Sequence, residues 1–254
     1  MGPIVSIVFG AMIGSFLNVC ISRLPKGESI VYPGSHCPQC GKPIRFYDNI
    51  PILSFLLLRG RCRSCRAPIS LQYPFVEGAT ALASLTLFVR FGPTLSYLIY
   101  FSFVASLIVV TVIDLYHQII PDIISLPGIA VGLLSALVNP FLSFFDSFLG
   151  ALLGGGSLFL IAGVYQWVFK REGMGGGDVK LLAMIGAFLG WKAVVLTILL
   201  GSFAGSVIGV GIILLKGRDF KYAIPFGPFL SLGAVLALFY GEPLLRWYLG
   251  LRTG

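Results

Sequence analysis

Eight apolar stretches recur along the chain, with short polar or glycine-containing breaks between them. A transmembrane helix needs about 20 predominantly apolar residues, so we interpret these stretches as membrane-spanning helices. Their approximate bounds are 3–22, 73–90, 94–114, 122–138, 143–169, 178–190, 192–215 and 223–246. The sixth stretch is short, and its boundary with the seventh lies at Gly190-Trp191-Lys192. The pattern predicts an all-α polytopic membrane protein with about eight transmembrane helices.

The long polar stretch at 23–72 interrupts this pattern and predicts a separate module between the first and second spans. We therefore expect three parts: a first span at 1–22, the module at 23–72 and a transmembrane core at 73–254. Within the module, Ile50 to Leu58 is apolar but too short to cross a bilayer. It is either an interfacial or re-entrant segment, or the core of the module.

Composition supports a membrane protein independently of any motif. The chain is 57% apolar and 11% charged, with a mean hydropathy of +0.94, whereas soluble domains are about 25% charged. Apolar residues begin at Pro3 with no basic residue before them, which argues against a cleavable signal peptide.

The distribution of basic residues predicts the orientation. The first positive charges, Arg23 and Lys26, follow the first span, so the positive-inside rule places the N-terminus outside. With eight spans, fourteen of the 18 Lys and Arg residues then lie on the cytoplasmic side. We assign the net charge of +8 to orientation and to contact with anionic lipids. The charges border apolar runs rather than forming one basic face, so no nucleic-acid partner is expected.

Two cysteine pairs in the module are the strongest local signal: Cys37 and Cys40, then Cys62 and Cys65. Two C-x2-C knuckles at this separation are typical of a structural zinc site, and a small module with little core benefits from a metal. Disulfides are the alternative, which the reducing cytoplasmic side disfavours. Cys20 lies in the first span, where a packing role is expected.

Two aspartates border apolar runs. Asp114 ends the third predicted span and Asp178 begins the sixth, so the topology places both at the cytoplasmic side. Ionisable groups at membrane depth are costly and indicate functional sites. This placement predicts a pair of carboxylates that act together.

Glycines precede Asp178 in the stretch Gly173-Met174-Gly175-Gly176-Gly177-Asp178. Gly175 and Gly177 would let an extended substrate backbone approach the carboxylate. The alternative is a flexible loop in which Asp178 is an ordinary helix N-cap. Lys180 does not share a helix face with Asp178, and we interpret it as a contact for lipid phosphates.

Other polar residues allow several interpretations. Asp114, His117 and Asp122 would suit a metal site, but no H-E-x-x-H is present. Asp122 follows Pro121 and is equally consistent with an acid at a helix start. Glu77 requires a partner, which we expect to be an arginine of the module.

An irregular segment precedes the last predicted apolar run. Pro225-Phe226-Gly227-Pro228 interrupts helical periodicity at the start of that span. Irregular backbone at this depth lines a cavity or is buried in protein. We therefore expect Pro225 and Gly227 to share a cavity with the two acids.

In their order along the chain, these residues resemble the type IV prepilin peptidases, and the resemblance covers nearly the whole sequence. The matching motifs are Gly14-Ser15-Phe16-Leu17-Asn18-Val19, Arg23-Leu24-Pro25, the four cysteines, Tyr73-Pro74 through Glu77, Asp114 with Ile120-Pro121-Asp122, Gly175-Gly176-Gly177-Asp178-Val179-Lys180, and Pro225-Phe226-Gly227-Pro228. His36, before the first knuckle, is not a ligand in the family pattern.

The resemblance implies a bifunctional enzyme in the bacterial inner membrane, with its catalytic face at the cytoplasm. Asp114 and Asp178 would be the catalytic pair that removes the basic leader from prepilins or pseudopilins after a glycine. The same family methylates the new N-terminal residue, with S-adenosylmethionine as the methyl donor. The sequence does not place the methyl-donor site.

Two other functions would use the same elements. An ion-coupled transporter would use intramembrane acids, but it is expected to have midplane acids and internal repeats. An inactive membrane scaffold for pilus or secretion assembly would retain the zinc module. The presence of both aspartates argues against the scaffold.

Overall fold

A computed structural model describes residues 2–170, 175–216 and 225–248. Within these ranges the secondary structure is helical, with two isolated bridges and no extended strand. The helices are α1 (Pro3–Arg23), α2 (Leu53–Leu57), α3 (Gln72–Phe91), α4 (Leu95–His117), α5 (Asp122–Ser135), α6 (Phe144–Phe169), α7 (Gly176–Leu189), α8 (Trp191–Lys216) and α9 (Gly227–Tyr248). Short 3-10 turns lie at Leu24–Lys26 and Phe46–Asp48.

Eight of these helices coincide with the eight apolar stretches, and α2 is the additional short helix. In the described ranges, α1, α4, α6, α8 and α9 are long and apolar enough to cross a membrane. The protein is therefore multi-pass, and the predicted all-α fold is confirmed. The count of eight spans stays a prediction, because α3 is not among these five and because α5 and α7 contain only 14 residues each. Such a helix is about 21 Å long, against a hydrocarbon core of about 30 Å.

The chain divides into two compact units, Met1–Val109 and Val110–Gly254. In the first unit, α1 packs closely on α3. A Cβ atom at Gly10 would lie 2.6 Å from Ser84 Cβ, and one at Gly14 would lie 2.7 Å from Glu77 Cα. Asn18 extends this contact by donating its side-chain amide to the carbonyl of Tyr73 at 3.1 Å. The small residues thus let the two helices approach.

The second unit is built around α7. All residues from Leu181 to Phe188 are buried, although the helix is short. Gly150 of α6 and Gly186 of α7 meet backbone to backbone, leaving no room for a side chain at either position. The Ser147 hydroxyl of α6 also donates to the carbonyl of Ala187 at 2.6 Å. These contacts fix the depth of α7 relative to α6.

The helices α8 and α9 also approach through glycines. A Cβ atom at Gly233 of α9 would lie 2.6 Å from the carbonyl oxygen of Thr197, and one at Gly201 of α8 would lie 3.0 Å from that of Phe229. This packing positions the N-terminus of α9, which carries Gly227. The segments 171–174 and 217–224 lie outside the described residues, as do Gly173 and Met174 of the glycine stretch and the basic residues Arg171, Arg218 and Lys221.

Candidate active site and metal centre

Asp114 lies in the last turn of α4 and is 5% exposed. Its Oδ2 atom accepts a hydrogen bond of 3.0 Å from the backbone N–H of Gly227. Gly227 is the first residue of α9, so this N–H is one of the helix donors without an intrahelical partner. The positive end of α9 therefore faces a buried carboxylate, which is a favourable arrangement.

The absence of a side chain at Gly227 makes this contact feasible. A Cβ atom there would lie 2.6 Å from Asp114 Oδ2 and 3.3 Å from its Cγ. Any other residue would have to displace the carboxylate or the start of α9. The geometry thus gives a steric reason for a glycine in Pro225-Phe226-Gly227-Pro228. The cavity that this segment is expected to share with the two acids stays a prediction.

Asp178 lies in the first turn of α7 and is partly buried. The N-cap is Gly175, so the alternative in which Asp178 caps the helix is wrong. The Asp178 backbone N–H donates to the Gly175 carbonyl at 3.2 Å, and a Cβ atom at Gly175 would lie 3.9 Å from Asp178 Oδ2. The exposed Gly175 therefore leaves one side of the carboxylate open.

The side chain of Ile120 contacts both segments that hold the two aspartates. A Cβ atom at Gly177 would lie 2.9 Å from Ile120 Cβ, and one at Gly227 would lie 3.3 Å from Ile120 Cδ1. Gly177 immediately precedes Asp178, and Gly227 holds Asp114. The segments that carry the two carboxylates therefore contact the same isoleucine side chain. The sequence alone assigned Ile120 no role, although its position beside Pro121 in the matching motif was a signal.

Asp122 and Lys180 form an ion pair beside these carboxylates. The Lys180 Nζ atom lies 2.7 Å from Oδ1 and 2.8 Å from Oδ2 of Asp122, and both side chains are substantially exposed. Asp122 is the first residue of α5, as one of its two interpretations expected. Lys180 was interpreted as a lipid-phosphate contact, whereas here it bonds to a carboxylate 58 positions away.

The alternative metal site at Asp114, His117 and Asp122 is not formed. His117 is exposed, and the cluster of metal-binding side chains found in the described ranges consists of the four module cysteines. Asp114 instead bonds to a backbone N–H, and Asp122 to a lysine. The local spacing of three ligand-type residues was misleading because they point to different partners.

The cysteine cluster is assembled as the spacing predicted. The Sγ atoms of Cys37, Cys40, Cys62 and Cys65 all lie within 4.8 Å of one another, and all are free thiols. Sγ atoms of Cys37 and Cys65 are 3.8 Å apart. Four thiolates around one tetrahedral zinc ion at about 2.3 Å are separated by about 3.8 Å, so the donor set fits zinc.

Both knuckles use the same backbone geometry. The first closes by a hydrogen bond of 2.8 Å from Gly41 N–H to the Cys37 carbonyl, and the second by one of 3.0 Å from Arg66 N–H to the Cys62 carbonyl. Gly41 and Arg66 both have positive φ, at 68° and 61°. Backbone N–H groups of Cys65 and Ser64 also donate to the Cys62 thiol and lower its pKa to about 6, which favours the metal-binding thiolate.

Glu77 has a different partner from the one expected. It is 7% exposed, and its Oε2 atom accepts a hydrogen bond of 2.6 Å from the backbone N–H of Ile52. Ile52 precedes α2 and has a positive φ of 61°. The prediction of an arginine partner was therefore wrong, because the loop conformation at Ile52 presents a free backbone N–H that the order of residues does not reveal.

Two remaining predictions concern residues near the cysteines. Cys20 is buried in α1 and is not part of the thiolate cluster, as a packing role requires. His36 forms an isolated bridge with Pro43, and its Nδ1 lies 3.0 Å from the carbonyl of Gly34. Substrate contacts at Gly175, Gly177, Pro225 and Gly227 stay predictions.

Two models of known protein families together match most of the chain. Residues 8–91 match the model of the bacterial peptidase A24 N-terminal domain, and residues 101–210 match the type IV leader peptidase family. No solved structure matches the chain.

Three proteins called prepilin leader peptidase/N-methyltransferase illustrate the similarity. The protein from Aeromonas hydrophila is 40% identical, over 95% of this chain and 92% of its own length. The one from Pseudomonas aeruginosa is 38% identical, over 96% of this chain and 92% of its own length. The one from Burkholderia pseudomallei is 36% identical, over 94% of this chain and 85% of its own length.

Proposed function

Because the chain belongs to the type IV leader peptidase family, we propose that it removes the leader peptide of type IV prepilins or pseudopilins and methylates the new N-terminus. The observation that carries the peptidase assignment is the convergence of Asp114 and Asp178 around Ile120, with Gly227 bonded to Asp114. Two carboxylates from separate helices thereby share one site. A transporter or an inactive scaffold has no need for this pairing.

The pairing suits general acid–base hydrolysis. Two neighbouring carboxylates do not both ionise readily, so one retains its proton. The ionised member accepts a proton from water as the water oxygen attacks the scissile carbonyl carbon, and the protonated member donates to the carbonyl oxygen. Collapse of the tetrahedral intermediate breaks the C–N bond, and the departing amine takes a proton from the pair. The pair titrates as a unit.

The glycines provide access for the substrate. An exposed Gly175 and a half-buried Gly177 leave the backbone beside Asp178 open, and Pro225 lies just before the N-terminus of α9. We assign Gly175, Gly177, Pro225 and Gly227 to binding the extended chain around the scissile bond. Gly227 contributes indirectly, since it allows the Asp114 contact.

Methyl transfer would use S-adenosylmethionine. When bound, it would supply an electrophilic methyl group, which the neutral amine of the new N-terminal residue would accept with loss of a proton to solvent. The module would hold one structural zinc ion through Cys37, Cys40, Cys62 and Cys65. A fully thiolate-bound ion has no open position, so its role is to order the module.

The cellular location follows from substrate and topology. We place the protein in the bacterial inner membrane with Asp114, Asp178 and the module at the cytoplasmic side, in contact with anionic lipids. Fourteen of 18 basic residues lie there in the predicted orientation. A prepilin with a cytoplasmic leader and a following membrane helix presents its cleavage point at the same side.

Co-expression with a prepilin tests the proposal. Intact-mass measurement of the pilin in membranes separates the two activities, because leader removal and the 14-dalton methyl addition change the mass independently. We expect both changes with this chain and neither without it. An unprocessed prepilin beside stably inserted protein would contradict the peptidase assignment.

A further inference from the structure

The short helix α2 exposes its apolar side chains instead of burying them. Leu53, Leu56 and Leu57 are 48%, 64% and 72% exposed, and their spacing of three and four positions places them on one face. Ser54, the polar residue of the same helix, is buried and donates its hydroxyl to the carbonyl of Tyr47 at 3.1 Å. A helix that formed the core of the module would have the opposite arrangement. The apolar segment that contains α2 is therefore not that core.

A hydrogen bond sets the depth of α2 relative to α1 and α3. Ile52, the residue before α2, donates its backbone N–H to Glu77 Oε2 at 2.6 Å. Glu77 lies five positions after Gln72, the first residue of α3, or about 7 Å along the helix axis. On α1, a Cβ atom at Gly14 would lie 2.7 Å from Glu77 Cα, and Gly14 is nine positions, about 13 Å, before the end of α1. The start of α2 is therefore nearer the membrane interior than the module-side ends of both helices.

A groove beside α1 places the preceding loop at a similar depth. Its walls combine Asn49, Ile50 and Pro51 of the loop with Ser15 and Phe16 of α1. The two α1 residues lie about two turns inside the module-side end of that helix. Because α1 is long and apolar enough to cross a membrane, the loop and the start of α2 lie at the level of the bilayer rather than above it.

Exposed arginines follow α2 directly. The eight residues after Leu58 contain four of them: Arg59, Arg61, Arg63 and Arg66. Arg63 is paired with an aspartate of the module, whereas the other three form no ion pair in the ranges that the structure describes. An arginine beside an apolar surface lays its stem along that surface and keeps its guanidinium at the polar boundary. Exposed leucines followed by such arginines are typical of a helix that lies in the membrane interface.

We propose that α2 is immersed in the bilayer leaflet on the side of the module. Its exposed leucines would lie among the acyl chains, and Arg59 and Arg61 would contact the lipid phosphates. The occupant of the exposed face is thus the phospholipid of the protein's own membrane. The five residues of α2 are far too few to cross it, so the segment returns to the side from which it entered. This inference uses no property of the proposed reaction and stands apart from it.

Photolabelling from lipid tests the immersion. The unchanged, full-length protein is placed at one chain per nanodisc in phosphatidylglycerol that carries a diazirine in the upper part of the acyl chain, and mass spectrometry locates the adducts. We expect a yield in 53–57 within threefold of that in α6, and little labelling of the second knuckle at 62–67. Absence of adducts from 53–57 while α6 is labelled would overturn the proposal. So would adducts that vanish when two chains share a disc, since the face would then belong to a second copy.

A variant with its matched control assigns the contact to the leucines. Leu56→Gln combined with Leu57→Gln should lower the adduct yield in 53–57 at least fivefold, because two amides disfavour the acyl region. Phe46→Gln removes an apolar side chain of the same module that is 87% exposed, and it should leave that yield unchanged. An equal loss in both variants, or no loss in the double variant, would contradict the proposal. If the double variant fails to insert, the labelling of the unchanged protein decides alone.

Discussion

The backbone N–H of Gly227 donates to Oδ2 of Asp114 across 3.0 Å, joining residues 113 positions apart. The bond brings the positive end of α9 to a buried carboxylate at the end of α4. It orients the carboxylate without using a second charged side chain. The geometry of one candidate catalytic residue therefore depends on a glycine in a different motif.

Replacing Gly227 by Ala should reduce cleavage at least 100-fold. The added Cβ atom would lie 2.6 Å from Asp114 Oδ2, and misplacement of a catalytic group by about 1 Å costs on the order of 100-fold. The measurement is kcat/KM for leader removal in detergent. Gly211→Ala is the control, because nothing lies within 4 Å of that Cβ position. Equal activity of both variants would show that the contact is dispensable.

Asp114→Asn and Asp178→Asn should each abolish cleavage while leaving the protein in the membrane. The amide keeps the size of the side chain but cannot exchange a proton, and the pair needs both carboxylates. The double variant should be no less active than either single one, because residues that act as a unit are not additive.

A remote aspartate provides the control for this pair. Asp146 lies in the first turn of α6 and accepts a hydrogen bond of 3.1 Å from Trp191 Nε1. Asparagine at this position keeps that acceptor. Asp146→Asn should cleave prepilin normally, as quantified by intact mass. Retained cleavage in Asp178→Asn would falsify the assignment of the pair.

Protein purified without chelator should contain one zinc ion per chain, measured by elemental analysis. The short mutual distances of the four thiols support this expectation. Replacing Cys40 by Ser should remove the metal, because a structural zinc site needs all four ligands. His36→Ala should keep it, since His36 is not part of the cluster. Recovery of disulfides, or of metal-free protein with normal activity, would contradict the prediction.

Cys62→Ser should impair methylation more than cleavage. Zinc contributes folding energy to its own module, while Asp114 and Asp178 lie in the other compact unit. The two losses can be read from one mass spectrum of a co-expressed pilin. Equal loss of both activities would mean that the module also supports substrate entry or folding of the whole protein. Loss of cleavage with full methylation of pre-cleaved pilin would reverse the assignment.

Gly186→Ala should destabilise the protein by about 1–3 kcal/mol, the usual cost of overpacking. The new Cβ atom would overlap the carbonyl group of Gly150, so α6 and α7 would have to separate. Denaturant unfolding in detergent measures the effect. Gly156→Ala in α6 meets nothing within 4 Å and should leave the unfolding midpoint unchanged or slightly raised.

Hydropathy predicted the helices well because each apolar run is local information. The boundary expected at Gly190-Trp191-Lys192 corresponds to the end of α7 at Leu189 and the start of α8 at Trp191. Cysteine spacing was equally informative, since each knuckle is a short turn whose closing hydrogen bonds are local.

Partners distant in sequence were not predictable in the same way. Glu77 was expected to meet an arginine and instead bonds to Ile52 N–H, and Lys180 pairs with Asp122. Ile120 had no polar group to attract notice, although it contacts the segments of both aspartates. These contacts depend on how helices pack, which apolar periodicity does not specify.

Because α7 is short, water has to reach below the membrane surface to arrive at Asp178. Its 14 residues extend over about 21 Å, while the hydrocarbon layer is about 30 Å thick. If the turn at Gly190 reaches the far surface, Asp178 lies several ångströms beneath the near one. Peptide hydrolysis at that depth requires a hydrated recess open to the cytoplasm. The scissile bond must therefore leave the helical conformation of its own membrane segment and descend into that recess.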